Sequence, residues 1–537
     1  MNNDRWIDNK IHHLRHENNL INTTIVATIY GENKIVYGVK DLQNGLATIE
    51  FTNSQLQVGF DTLRLETTQS KTLQQDFEIA SASGYIEGFV TMQKIYNHWM
   101  NMNIYSWWYT NENRTNGMPQ QVRTFFHDQL TWMVQKCNTH LNGKTEEDLY
   151  WQQVYLIYLQ QLGLVKGYND AVQLNFGDIW DIDGKVFGLD FSKMSLPELL
   201  SYMKTHSHCS ALFKLTADRR DIFFSHTVWG SFSTMTRMLK TYTMNYLNPL
   251  TKSKTVTFSS YPGTLGSNDD YYMTDQGLVI IETTINIFNK SLYNHTNPQS
   301  LLCWMRVILA NRMSSNGPEW YSLFKQNNGG TYNNEWMILD VKKFTPGSPT
   351  LQPDLFWVID QIPGSVLGRD QTQVLSQNGY FASYNVPFYS EIFALTGYLD
   401  LLNKKPSMYH HDWSHETCAR AEIFKRDQHL VNDLTSMKRI MQYDNYQHDE
   451  YSFNNPDLII SARDDLFPGP ASTRSCAGGY DSKISSITHW KKVYFRSGPS
   501  HEYTPIFTWS NQCNVRHSHI GMPKTWNFPW VELESRV

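Results

Sequence analysis

Apolar and polar positions alternate with two different periods along this chain. Near the N-terminus, Ile25-Val26-Ala27-Thr28-Ile29-Tyr30 and Lys34-Ile35-Val36-Tyr37-Gly38 flank Gly31-Glu32-Asn33, which predicts a hairpin. The period then lengthens. Tyr85, Phe89, Met92, Ile95, Tyr96 and Trp99 recur at helical spacing and predict an amphipathic helix over about 85–100. Tyr150, Val154, Ile157, Tyr158 and Leu162 predict a second over 147–164, ending near Gly163 or Gly167. A short helix is expected over 196–203. Met235, Met238, Leu239 and Tyr242 suggest another over 231–246. Apolar, β-branched runs at 255–259, 277–284, 335–340 and 355–360 read as strands, with a helix over 299–313 between the second and third. From about Asn454 the chain turns rich in Asp, Asn, Gly and Pro and reads as loop-heavy. Strands interleaved with helices, without an internal repeat, predict a layered α/β sandwich.

The most informative stretch is mid-chain. Polar Lys204-Thr205-His206-Ser207-His208 runs into Cys209-Ser210-Ala211-Leu212-Phe213-Lys214-Leu215. A charged turn, Asp218-Arg219-Arg220-Asp221, and the apolar run Ile222-Phe223-Phe224-Ser225-His226 follow. This predicts a hairpin whose first residue is a thiol. From spacing alone two readings stand. Cys209 is a buried thiol at a strand start, or it is a nucleophile released by cleavage before it. In the second case the freed α-amine, with an ordinary pKa of about 7.7–8.0, would take the thiol proton, and the uncut chain would lack that base.

Composition narrows the field. With 537 residues, 40% hydrophobic and 18% charged, the chain is long enough for two or three average domains or one large α/β core, and a packed globule rather than disorder is expected. Its 17 Trp and 30 Tyr suit large cores or an apolar-substrate groove. A net charge of -5 without Lys/Arg runs argues against nucleic acid as a partner. No apolar run approaches the roughly 18 residues a membrane span needs, and no signal peptide is readable at the start. Sequons at Asn22, Asn113, Asn289 and Asn294 point toward secretion, although a chain rich in Asn and Thr also forms such triplets by chance.

The six cysteines show neither C-x-x-C nor zinc spacing, and a pairing of Cys476 with Cys513 stays open. G-x-S-x-G, G-x-G-x-x-G, Walker and H-E-x-x-H motifs are all missing, which disfavours a serine lipase of the α/β-hydrolase type; no cofactor is implied. His410-His411-Asp412 with His415 could imitate a metal cluster, but its polar setting predicts a solvated surface.

Ordered motifs decide between the two readings of Cys209. His208-Cys209-Ser210-Ala211-Leu212 with Phe224-Ser225-His226-Thr227-Val228-Trp229 resembles the processing-site region of the phospholipase B-like proteins. So do Phe258-Ser259-Ser260-Tyr261-Pro262-Gly263-Thr264 with Asp269-Asp270, Glu282-Thr283-Thr284, Gly330-Thr331-Tyr332-Asn333-Asn334, Gln361-Ile362-Pro363-Gly364, Ser383-Tyr384-Asn385-Val386-Pro387 and Arg420-Ala421-Glu422-Ile423-Phe424. The resemblance spans about Gly84 to the C-terminus. Where family members often carry a cysteine-rich segment, 454–460 has no cysteine.

The resemblance implies a four-layer αββα sandwich of the N-terminal nucleophile hydrolase type. It also implies self-cleavage between His208 and Cys209, with 1–208 and 209–537 as light and heavy chains that stay associated. Cys209 matches the nucleophile, His226 and Trp229 the active-site His and Trp on the facing strand, and Thr284, Asn385 and Arg420 further pocket positions. Asn385 suits an oxyanion donor, Arg420 an orienting cation and His226 a group that positions the thiol or its water. The implied activity is deacylation of glycerophospholipids through an acyl-thioester, in a lysosomal or secreted setting. An amidase acting on N-acyl amides, a catalytically silent lipid-binding relative and an uncut proenzyme are the alternatives.

Overall fold

A computed structural model describes residues 23–103, 120–176, 208–267, 269–404, 411–468, 475–509 and 518–537. Two sheets stack face to face with helices on their outer sides, an α+β sandwich. The larger, eleven-stranded sheet runs from Ser365–Asp370 at one edge to Ile35–Tyr37 at the other. The smaller has six strands, with His208–Leu215 and Ile222–Ser231 beside Ala477–Ser486 at its centre and Tyr380–Ser383 at one edge.

The central strands form because β-branched and aromatic residues run together. Leu278–Thr284 is buried at every position, as a strand covered on both faces must be. Between the sheets, Phe213 meets Phe356 with ring centroids 4.9 Å apart. On the outer face of the large sheet, Leu65, Met238, Ile280 and Trp336 share one apolar cluster with Ile79, Tyr85 and Leu156. On the outer face of the small sheet, helices Ala419–Asp427 and Leu434–Met441 contribute Ile423, Phe424 and Met437 to the main core. Segments before and after Cys209 interleave in one sheet: Phe60–Thr67 pairs in parallel with Arg237–Thr243, from Phe60↔Arg237 to Glu66↔Thr243. No helix of the described residues is long and apolar enough to cross a membrane.

The N-terminal hairpin, the Cys209 hairpin and the four mid-chain strands form as the sequence pattern predicts. Four elements differ. The expected helix over 231–246 is a short 3-10 turn, Phe232–Thr234, followed by the strand Arg237–Thr243. Both faces of that strand are covered, so its apolar spacing imitates a helical stripe. Arg237 and Lys240, which mark a polar face in sequence, are wholly buried against carboxylates. The helix expected over 85–100 is two helices, Leu73–Val90 and Met92–Asn103; the first starts where Thr72 Oγ1 accepts the Gln75 N–H at 3.0 Å.

The loop-heavy C-terminal third contains the ten-residue central strand Ala477–Ser486, whose buried Asp481, Ser482, Lys483 and Ser485 conceal it from a hydropathy reading. The segment 196–203 lies outside the described residues.

The fourth difference is the helix expected to stop near Gly163 or Gly167, which continues as Glu146–Phe176. These glycines are contact points. A Cβ on Gly84 would sit 1.8 Å from Gln160 O and one on Gly88 2.0 Å from Leu164 O; reciprocally, Cβ atoms on Gly163 and Gly167 would meet Ser81 O and Tyr85 O at 2.1 and 2.0 Å. Helices Leu73–Val90 and Glu146–Phe176 therefore touch backbone to backbone. Gly84→Ala or Gly163→Ala is expected to lower stability by about 1–3 kcal/mol, because overpacking outweighs the roughly 1 kcal/mol that Ala gains over Gly in a helix. Thermal unfolding checks this, and a melt unchanged or raised would show that the helices separate freely.

Candidate active site

Strand alternation places Cys209, Ala211 and Phe213 on the face of the small sheet that looks at the large one. Their register partners Val228, His226 and Phe224 share that face. Cys209 is 2% exposed and His226 is fully buried. The Cys209 sulfur, a His226 ring nitrogen and a carboxylate oxygen of Glu282 lie within 4.8 Å of one another. No side chain of the described residues hydrogen-bonds to either His226 ring nitrogen, and the ring approaches the Glu282 backbone. Tyr332 Oη donates to Glu282 Oε1 at 3.3 Å.

Burial sets the charge state of this group. It pushes the Cys209 thiol well above its ordinary range, with the Glu282 carboxylate adding to the effect and the Lys483 cation opposing it. Burial first, then Lys483, holds the His226 imidazole well below its ordinary range, so the ring is neutral. Burial and the neighbouring Asp270 and Asp269 push the Glu282 carboxyl up. No thiolate is preformed here.

Asn385 holds the nucleophile's backbone. The Cys209 N–H donates to Asn385 Oδ1 at 2.9 Å, while Asn385 Nδ2 donates to Thr284 O at 2.8 Å. Asn385 takes a left-handed φ of 69°, which Asn tolerates better than most residues. Tyr398 Oη donates to its carbonyl at 2.6 Å. The side-chain nitrogen expected to serve an oxyanion is thus engaged by Thr284, whose carbonyl rather than its hydroxyl makes the contact.

Trp229 and Arg420 lie on the other face of the strand pair. Trp229 is the register partner of His208, and their ring centroids are 5.9 Å apart. Arg420 stacks at 4.4 Å over the Trp229 ring, donates to Cys209 O, and donates to Tyr384 O at 2.6 Å. The six predicted residues therefore divide. Cys209 and His226 point between the sheets, Asn385 holds the Cys209 amide and is itself held by the Thr284 carbonyl, and Trp229 with Arg420 clamp the chain from behind.

The sequence reading missed Glu282, Tyr332 and Lys483 as site residues. The available signal was a lone carboxylate in the apolar run 278–284, since burying one is costly without a purpose.

Of the polar cluster expected on a solvated surface, His411, Asp412 and His415 are half-buried, with His411 packed at 4.1 Å on Phe453; His410 lies outside the described residues. Asn289 and Asn294 are exposed, and Asn289 caps the 3-10 helix Lys290–His295; Asn22 and Asn113 lie outside the described residues. Cys476 is disulfide-bonded, whereas Cys513 lies outside the described residues.

Comparison with known proteins places this geometry in context. A family model described as phospholipase B matches residues 47–533. Phospholipase B-like protein A of Dictyostelium discoideum is 34% identical, over 91% of this chain and 88% of its own. Phospholipase-B 81 of Drysdalia coronoides is 32% identical over 95% and 92%. Human putative phospholipase B-like 2 is 32% identical over 91% and 86%.

The loop carrying Asn385 rests on a proton. Glu335 and Asp360 face each other across two strands of the large sheet, and Asp360 Oδ2 accepts the Tyr389 N–H at 2.9 Å. Burial, opposed by hydrogen bonds from the loop, leaves Asp360 raised to about 7; burial and then Asp360 push Glu335 up as well. A carboxyl raised on folding contributes stability that is complete below its ordinary range and lost as pH rises through the shifted value. Between about pH 5 and about pH 9 this pair is expected to lower the melting temperature by at least roughly 2 °C. Asp360→Asn is expected to flatten part of the fall. Equal slopes in the two proteins would remove the shared proton from the account.

Proposed function

The chain belongs to the phospholipase B family, and on that premise we propose that it is a lipid acyl hydrolase of the N-terminal nucleophile type, with Cys209 as its nucleophile once the His208–Cys209 bond is broken. The observation that carries this reading is the Asn385 contact. Asn385 Oδ1 already accepts a hydrogen bond from the nitrogen that cleavage would turn into an α-amine, on the residue whose thiol faces His226 and Glu282. The thiol is pushed up by burial, and the His226 imidazole beside it, held well below its ordinary range, is a poor base. An α-amine with an ordinary pKa near 7.7–8.0 would supply a stronger one.

The steps balance as follows. In processing, the Cys209 sulfur attacks the His208 carbonyl carbon, the C–N bond breaks, the nitrogen takes the thiol proton, and water hydrolyses the resulting thioester. In turnover, the α-amine takes the thiol proton and sulfur attacks the acyl carbonyl of a glycerophospholipid. The alcohol leaves with the proton from the ammonium, and an acyl-thioester remains. Water, deprotonated by the amine, then releases the fatty acid and restores the thiol. Asn385 acts as holder of the amine, since its Nδ2 is committed to Thr284 O. Arg420 and Trp229 fix the strand on either side of the scissile bond.

The segments 1–208 and 209–537 would stay together after cleavage. The parallel ladder between Phe60–Thr67 and Arg237–Thr243 crosses the cut, and so does the buried Glu87–Lys240 ion pair at 2.7 Å. The disulfide at Cys476 supports an oxidising setting, lysosomal or secreted.

N-terminal sequencing of the purified protein is expected to give a larger fragment that starts at Cys209. That material, mixed with phosphatidylcholine vesicles and separately with N-acyl amides, is expected to release fatty acid, and amide cleavage alone would shift the substrate class. Cys209→Ala is expected to lower release by at least about 1,000-fold and to leave the chain uncut. Asn385→Ala is expected to slow fragment appearance by about 100-fold, the effect of displacing a reacting group by an ångström, with folding checked by its melt. Lipid bound without product by correctly cut protein would make it a silent relative and overturn the hydrolase reading.

A further inference from the structure

The cluster of Cys209, His226 and Glu282 has an unexplained feature. His226 is fully buried; the polar group its ring approaches is the Glu282 backbone, and no side chain of the described residues hydrogen-bonds to either ring nitrogen. A buried imidazole with so little hydrogen bonding is costly to keep, and its retention beside a thiol and a carboxyl calls for a ligand. The geometry points to a transition-metal site: we propose that Cys209, His226 and Glu282 together bind one zinc-like divalent cation. The inference rests on these three side chains alone and stands whether or not Cys209 is a nucleophile.

The donor set selects the metal. One thiolate, one imidazole and one carboxylate is a borderline-soft combination suited to zinc, cobalt or ferrous iron, whereas calcium and magnesium require oxygen donors. Three protein ligands leave a tetrahedral ion one open position, the pattern of sites that keep a coordination place for water or substrate. Bonds of about 2.0–2.3 Å place donors around such an ion roughly 3.5 Å apart. The three atoms here already lie within 4.8 Å of one another, so they need to close by little more than about 1 Å.

The surroundings permit a cation. Lys483, Arg237 and Arg420 are the nearby positive groups: Lys483 Nζ reaches Asp269 at 2.6 Å and Asp481 at 2.7 Å, Arg237 pairs with Asp269 and Asp481, and Arg420 lies on the other face of the strand, donating to the Cys209 and Tyr384 carbonyls. Asp270, buried beside Glu282, adds a further carboxyl. Because Cys209 provides the sulfur ligand, an ion here would occupy the thiol and make it unavailable for attack.

Cobalt titration of the reduced, full-length protein tests the proposal, with equilibrium dialysis giving stoichiometry. One saturable equivalent is expected, with the near-ultraviolet thiolate-to-cobalt absorption that reports a Cys ligand. Zinc is expected to displace it, and calcium and magnesium are not. Cys209→Ser should remove the absorption, separating this site from the buried thiols of Cys137, Cys303 and Cys418. His226→Gln and Glu282→Gln should each weaken binding by at least about 100-fold, the upper end of what loss of a mere supporting contact produces. Melting curves of the three variants confirm that they are folded. Absence of saturable uptake, or uptake and absorption unchanged in folded Cys209→Ser or His226→Gln, would overturn the proposal. Because the readout is binding, failure of lipid hydrolysis leaves it intact, and failure of binding leaves the hydrolase reading intact.

Discussion

The sandwich depends on a ring of charge buried between its sheets. Arg237 comes from the large sheet, Asp481 and Lys483 from the centre of the small one, and Asp269 from the segment just before a large-sheet strand. All four side chains are fully excluded from solvent. Apolar contact alone would leave the two sheets free to slide, because dispersion is non-directional. Four buried charges paired with one another, with the Ser259 and Ser267 hydroxyls donating to Asp269, favour a single register. Removing one partner from such a set typically costs about 3–5 kcal/mol, since a buried charge is left unmatched. The ring therefore ties the position of the Ala477–Ser486 strand to that of Arg237–Thr243, and through them the position of the Cys209 hairpin.

The same ring governs the electrostatics of the site. Lys483 is the register partner of His226, and its cation helps to hold the imidazole neutral. Asp269 and Asp270 push the opposite way on Glu282, keeping its proton on. A thiol, a neutral imidazole and a protonated carboxyl thus share a small volume with no net charge of their own. That is the least costly state for three buried titratable groups, and it is one without a reactive thiolate. Any activation of the thiol has to come from a change in the group, such as gain of an amine base, and not from its resting state.

How much of this was legible in the sequence follows from where each side chain points. Strands with one chemical character, such as 278–284 and 335–340, were readable because burial on both faces leaves an unbroken apolar run. Arg237–Thr243 and Ala477–Ser486 were not readable, because each has a buried charge paired with a partner more than two hundred residues away, Arg237 with Asp481 and Lys483 with Asp269, which no local period encodes. Glycines 163 and 167 resembled a helix end for a related reason: close approach of a second helix uses the same residue that helix termination does. At the site, ordered motifs located Cys209, His226, Trp229, Thr284, Asn385 and Arg420. Motifs carry no information on facing, so the division of these residues between two sides of one strand pair emerged only from the register.

That division gives the site its logic. On the inner side are the groups able to do chemistry or take a metal, Cys209, His226 and Glu282. On the outer side, Arg420 and Trp229 bind the backbone and packing of the same two residues, His208 and Cys209, and touch none of the three reactive atoms. Asn385 joins the two sides, accepting from the Cys209 nitrogen while Arg420 grips the preceding Tyr384 carbonyl. A hydrogen bond to a peptide N–H and one to an amine need the same acceptor in the same place. If the bond before Cys209 is broken, Asn385 need not move for the new amine to be held within reach of the thiol. The left-handed conformation of Asn385 has a reason in the chain as it stands: it aims one side-chain oxygen at the Cys209 nitrogen.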